Sequence, residues 1–447
     1  MENKDFLGTE PIGKLLFKLA VPTVIAQIIN MLYNIVDRIY IGHMPGNGSL
    51  ALTGVGVCMP IILIVSAFAA LVSSGGSPRA SISMGEGNYD KAENILGNCF
   101  ALQIVISIVL TIILLVFGRR FLLAFGASEN TIEYAVSYMR IYALGTIFVE
   151  LTLGMNTFIT AQGFAKTGML TVLIGAVCNI ILDPIMIFGL CGCPAMGIKG
   201  AAIATVIGQM AGAVAALLFN RFKNPLIHVH LKGYRFNRQD VFDIYRVGLP
   251  TIIMQTIGSI MTFVVNSILL DVSTTAVAFF GIYYKLQNFL MMPINGLGQA
   301  TIPIVGYNFG SKSFDRVQQT WKILLPTGIV IALCGTIIFC IFPEQLLLLF
   351  SASPEMLSLG IPALRIISIS FVFGAITILC GYFSSGLGNG VINMVGSAIR
   401  QLVVLVPCLY ILIKEMGISY SWYAFWIAEV IACAYSYLSS RKLKTIL

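Results

Sequence analysis

The sequence predicts an all-α polytopic membrane protein: twelve transmembrane helices in two six-helix bundles, related as a parallel internal repeat around a central cavity. Three observations carry that prediction. Of the 447 residues, 57% are hydrophobic and only 10% are charged, with a mean hydropathy of +0.91; a soluble domain carries about 25% charged residues. Apolar runs of about 20 residues recur along the chain, the length a helix needs to cross a bilayer, without the alternation of a barrel strand. The second half also repeats the first.

Read against turn and charge signals, the first half offers spans near 15–41, 51–76, 95–117, 135–160, 168–190 and 197–219. The second half offers spans near 245–270, 276–305, 320–342, 360–385, 392–413 and 419–438. The domain reading is an N-terminal bundle over 1–219, a linker loop over 220–244 and a C-terminal bundle over 245–447. Basic residues orient the spans. Lys4, Lys14, Lys18, Arg79, Lys91 and Lys166 fall on one side, with Arg221, Lys223, Lys232, Arg235, Arg238 and Arg246 of the central loop. Lys312, Arg316, Lys322, Arg400, Arg441, Lys442 and Lys444 join them, whereas the opposite side holds Arg119, Arg120, Lys199 and Lys414. That asymmetry predicts an even number of spans with both termini cytoplasmic. The basic loop reads as a topology and lipid-headgroup feature, and no aromatic platform accompanies it to suggest nucleic acid.

Several function classes find no support. No nucleophilic triad, P-loop or nucleotide fingerprint is present, so neither an enzyme nor an ATP-driven pump is expected. Most cysteines sit in apolar runs and read as small core residues. Cys191 and Cys193 lack disulfide or zinc spacing, and His228 and His230 form a lone pair in the basic loop. The opening MENKDFLGTEPIGKLLF does not read as a cleavable signal peptide. No cofactor is implied, and nothing demands more than a monomer.

The repeat sets the frame. Pro22, Thr23 and Gln27 match Pro250, Thr251 and Gln255 at an offset of 228. Thereafter the offset settles at 225: Tyr89-Asp90-Lys91 meets Phe314-Asp315-Arg316, Arg140-Ile141 meets Arg365-Ile366, and Gly163 meets Gly388. Six spans per half keep the repeat in one membrane orientation, which implies two bundles about an axis along the membrane normal.

Where the halves differ, chemistry is expected. Asp37, deep in VPTVIAQIINMLYNIVDRIYIG, meets Val265; Asp183 in NIILDPIMIFG meets Val406 when Pro184 is aligned with Pro407. An ionisable group at membrane depth is costly and reads as functional. Asn34 and Asn179 each precede their aspartate by about one helical turn and share its face, and Pro184 frees carbonyls beside Asp183. Two carboxylates with amide oxygens suit a hard cation such as sodium, with Asp37 and Asp183 its possible ligands. Carboxylates held together equally suit a shared proton. A pairing of Asp37 with Arg38 is the structural alternative, weakened because helix neighbours do not face each other. Glu150 and Glu429 lie within or near spans without such surroundings, and Lys285 is the deep cation of the second half.

Taken together, VP…Q…N-x-x-D in the first span, GEGNYDKA after the second, N-x-x-x-D-P in the fifth and GAAIAT in the sixth resemble the multidrug and toxic compound extrusion (MATE) transporters. The resemblance covers nearly the whole chain. It implies export of small-molecule drugs and organic, often cationic and aromatic compounds, driven by inward flow of protons or sodium. The family's N-lobe site carries over onto Asp37, Asn179, Asp183 and Thr205, with Asn156, Asn34 and Tyr33 nearby. One branch of the family has carboxylates in the seventh or tenth span; their absence here favours coupling through the N-lobe alone. Tyr33, Asn30, Gln27, Gln255, Tyr283, Lys285 and Met291 are expected on the wall of a substrate cavity that opens to each side in turn. The alternative is a lipid-linked oligosaccharide flippase of the same architecture, which would need a more basic cavity.

Overall fold

The computed structural model describes residues 5–224, 226–229 and 237–446. Lys4, His230, Lys232 and Arg235, and the side chains of Lys223 and Lys444, lie outside the described residues. All regular structure among the described residues is helical. In chain order the first half contains α1 (Phe6–Thr9), α2 (Ile12–Gly42), α3 (Gly48–Gly85), α4 (Tyr89–Ala124), α5 (Ile132–Leu144), α6 (Thr146–Ala161), α7 (Ala165–Phe188) and α8 (Ile198–Leu218). The second contains α9 (Arg238–Leu270), α10 (Thr274–Gly310), α11 (Phe314–Ile341), α12 (Pro343–Leu348), α13 (Pro354–Ser368), α14 (Phe371–Gly386), α15 (Val391–Ala398), α16 (Leu405–Met416), α17 (Ile418–Ser421) and α18 (Tyr423–Ile446). Two π-helical turns, Phe219–Lys223 and Ile399–Val403, interrupt the regular hydrogen bonding.

Nine helical stretches among the described residues are long and apolar enough to cross a bilayer; two further crossings are bent pairs, α5 with α6 at 55° and α13 with α14 at 48°. These bends lie at Gly145 and near Ser370, which the repeat offset of 225 pairs. With α18 as the last span, the expected twelve-helix fold in two repeats of six is observed.

Contacts group the residues into two units whose bounds differ from those drawn on the sequence. The first is Ile25–Leu249; the second joins Asp5–Val24 to Pro250–Leu447. Each bound falls beside the repeated proline that opens a repeat, Pro22 in α2 and Pro250 in α9. A proline inside a helix removes one backbone hydrogen bond and weakens the turn before it, so it is a natural place for one helix to serve two packing environments.

Polar anchors explain both assignments. In the first unit, Arg79 Nη2 meets Asp243 Oδ2 at 2.7 Å and holds the start of α9 against α3. In the second, Arg316 Nη2 donates to the Glu10 carbonyl at 2.7 Å, and Asn308 Nδ2 to the Leu7 carbonyl at 3.0 Å. The core of the first unit packs Ile41 of α2, Val55, Cys58 and Ile61 of α3, Tyr138 and Tyr142 of α5, Ile187 of α7 and Ala201 of α8. The seam between α7 and α8 is closer than ordinary side chains allow. A Cβ on Gly208 would lie 2.8 Å from the Gly175 carbonyl oxygen and 3.1 Å from Asn179 Cβ. Small residues at such a crossing let two backbones approach in a membrane, where no hydrophobic force drives helices together. That closeness fixes where Asn179 stands.

Candidate ion-coupling site

The first unit brings Asp37 of α2 to Asp183 of α7. Asp37 is 8% exposed and Asp183 is fully buried, and the two carboxyls face one another at interacting distance. Asn179, one turn before Asp183, donates through Nδ2 to Asp183 Oδ1 at 3.2 Å; the same amide lies 3.5 Å from Thr205 Oγ1 on α8. Three buried oxygens find no hydrogen-bond donor: Asp37 Oδ1, Asp183 Oδ2 and Asn179 Oδ1. Buried polar atoms are nearly always paired, so three open acceptors together are unusual. Their chemistry is that of a place for a proton or a small hard cation.

Arg38 acts on Asp37 only through its charge at a distance and makes no direct ion pair with it among the described residues. Its guanidinium lies 3.3 Å from the Met59 sulfur. Pro184 leaves α7 helical through Phe188, but as an imino acid it offers no N–H to the Ile180 carbonyl. Of the expected set, Asp37, Asn179, Asp183 and Thr205 are gathered, whereas two amides are engaged elsewhere. Asn34 donates to the Asn30 carbonyl at 2.6 Å, a local i−4 bond that outcompetes the carboxylate on its face. Asn156 donates to Thr171 Oγ1 at 2.6 Å and to the Gly168 carbonyl at 2.7 Å, joining α6 to α7.

Sequence reasoning missed two neighbours. The Tyr138 hydroxyl of α5 lies beside Thr205 and near Asp37; nothing distinguishes this tyrosine in its apolar run. Gln209 of α8 lies with Nε2 3.5 Å from the Tyr33 hydroxyl. Its signal was available, since it follows Thr205 by one turn and shares that face.

The residues expected to line a cavity divide sharply. In the first unit Tyr33 is half-buried, Asn30 is exposed, and Gln27 has a buried Nε2 without an acceptor. In the second, Gln255 and Lys285 are exposed. Tyr283 and Met291 correct the expectation: they are 1% and 5% exposed, and the Tyr283 ring packs on Phe425 at a 5.5 Å centroid distance. Helical geometry gives the reason. Tyr283 and Met291 are about two turns apart and share the core face of α10, whereas Lys285 and the exposed Phe289 lie on the other face.

The fold and its buried acids define a polytopic helical membrane protein of two six-span repeats, with a carboxylate pair in the first unit. The chain belongs to the MatE family: the family model matches residues 22–185 and 250–411, once in each repeat. The expected multidrug and toxic compound extrusion membership is met. The chain is 28% identical, over 97% of its length, to the multidrug export protein MepA of Staphylococcus haemolyticus, covering 94% of that protein. It is 24% identical, over 96% of its length, to MepA of Staphylococcus aureus, covering 93% of it. Among solved structures, one of MATE in the bent conformation matches with a TM-score of 0.93 at 24% identity, covering 100% of this chain and 98% of that one. An outward-facing multidrug resistance MATE family transporter matches with a TM-score of 0.91 at 24% identity, covering 100% and 98%. At that identity the structural likeness is one of fold.

Proposed function

We propose that the protein is a secondary active multidrug exporter of the plasma membrane, with both termini cytoplasmic. It expels small organic, often cationic and aromatic compounds in exchange for inward-moving protons or sodium. The reading is supported by the export proteins it resembles over nearly its whole length. The observation that carries the coupling is the trio of open acceptors on Asp37, Asp183 and Asn179.

The mechanism follows from electrostatics. Two carboxylates facing each other in a medium of low dielectric repel strongly. A proton shared between them, or a monovalent cation held by their free oxygens and that of Asn179, removes the repulsion and draws α2 toward α7. When the ion leaves, the repulsion returns and α2 is free to part from α7 or bend near Pro22. Asn179 and Thr205 hold Asp183 in place throughout. An ion that binds one arrangement of α2 more tightly than the other shifts the balance between them by its differential affinity, typically about 1–3 kcal/mol. If the substrate favours the opposite arrangement, the two compete and exchange becomes obligatory. Access to the substrate site then alternates between the two sides of the membrane.

Proteoliposomes loaded with a fluorescent organic cation, with pH and sodium gradients imposed separately, test the proposal. Wild type should expel the dye under one of the two gradients, and Asp37→Asn and Asp183→Asn should abolish that response. Gradient-driven efflux at the wild-type rate in either variant would overturn it.

A further inference from the structure

The second unit carries its own buried carboxylate on α18, the repeat counterpart of α8. Glu429 on α18 is 7% exposed, and its Oε2 has no hydrogen-bond partner. Arg400 Nη1 stands 3.5 Å from Glu429 Oε1, an ion pair through one oxygen rather than a two-pronged clamp. At the offset of 225, Glu429 answers Ala204, the neighbour of Thr205 on α8. At the offset that pairs Pro184 with Pro407, Arg400 answers Val177, within one helical turn of Asn179 on α7. The pair thus lies on the counterparts of α7 and α8, two residues from the position that answers Asn179 and one from that which answers Thr205.

The local backbone is shaped around this pair. Arg400 lies in the π-helical turn Ile399–Val403, where the span from Val391 to Met416 is interrupted. Such turns are rare and concentrate at functional sites. Pro407 follows in the first turn of α16, where its ring would crowd the carbonyl four residues back, at Val403. Gly374 of α14 leaves room for the acid, since a Cβ there would stand 3.2 Å from both carboxylate oxygens. The groups that face Glu429 are Arg400 from the π turn, Tyr283 from α10 and Cys433 one turn along α18. One turn further the same face bears Ser436, whose buried Oγ also lacks a partner.

We propose that Glu429 is a latent monovalent-cation or proton site in the second unit, held shut by Arg400 as a resident cation. A mobile ion and a guanidinium answer the same need of a buried carboxylate, and removing one partner of a buried pair leaves an uncompensated charge. The first unit leaves its carboxylates open to solution ions; the second supplies its own counter-ion, so its charge state does not change through a cycle. This inference rests on the repeat and the Arg400–Glu429 geometry, and holds whether or not the first unit exchanges an ion.

Infrared absorption of protonated carboxyl groups in the purified full-length protein provides the test, with pH varied in sodium-free and in sodium-containing solution. Arg400→Gln should add one buried protonated-carboxyl signal that wild type lacks, and that signal should vanish in Arg400→Gln/Glu429→Gln. Loss of the new signal on adding sodium identifies a sodium-accepting site; persistence in sodium identifies a proton site. Arg400→Lys, which keeps a cation, should add nothing. The proposal is overturned if Arg400→Gln, eluting as a folded protein, gives the wild-type spectrum at every pH. It is equally overturned if the added signal survives Glu429→Gln.

Discussion

The two units repeat one helical plan yet treat buried charge in opposite ways. In the first, α2 and α7 bring two carboxylates together, and no ion pair is formed by either among the described residues. In the second, the acid of α18 has a guanidinium beside it. The backbone follows the same division. The helix carrying Asn179 and Asp183 runs unbroken past Pro184, whereas its counterpart opens into a π turn at Arg400 before Pro407. The contrast teaches that an internal repeat preserves the packing problem and not its electrostatic solution. Valine stands opposite both aspartates in the second half, yet that half did not become electrically silent. Its buried acid stands on α18, with a counter-charge supplied from within the unit.

Substitutions in the first unit break this contrast to graded extents. The largest effect is expected at Asp183→Asn, then Asp37→Asn: gradient-driven dye efflux should fall by at least about tenfold, since about 1.4 kcal/mol of lost coupling corresponds to a factor of ten. Next is Gly208→Val, which forces side-chain atoms against the Gly175 backbone and the root of Asn179. Overpacking of this kind costs roughly 1–3 kcal/mol, and should lower thermal stability in detergent together with ion affinity. Thr205→Val removes the hydroxyl beside the Asn179 amide. A neutral hydrogen bond contributes about 1 kcal/mol, so a several-fold weaker ion dependence of efflux is expected, restored by Thr205→Ser. The smallest effects belong to Asn34→Ala and Asn156→Ala, whose amides are engaged away from the carboxylates. Their ion dependence should match wild type, measured by the same efflux assay.

What the sequence made legible, and what it hid, follows the range of the interactions involved. Apolar run length and the repeat are local or periodic, so the twelve spans and the importance of Asp37 and Asp183 could be read directly. The face on which Asn34 lies was equally readable, but not which acceptor on that face would win its amide; the i−4 carbonyl is always within reach. Tyr283 and Met291 were assigned by residue type, and only the packing of α10 against Phe425 reveals which side is core. Arg400 was counted among the basic residues that orient the spans. Its partner is on another helix, and no spacing rule connects position 400 to position 429. The unit bounds at Ile25 and Pro250 were likewise hidden, because Pro22 and Pro250 mark a bend without saying which neighbours each half of the helix will choose.

The most direct test of the account is whether substrate and coupling ion compete through the first unit's carboxylates. Binding linkage is reciprocal, so adding a saturating organic cation to the purified protein in weakly buffered solution should displace the ion held between Asp37 and Asp183. Wild type should release protons, seen by a pH indicator, or bind radioactive sodium more weakly. The Asp37→Asn/Asp183→Asn protein should do neither while still binding the dye. Proton release or sodium displacement of wild-type size in that double variant would contradict the account.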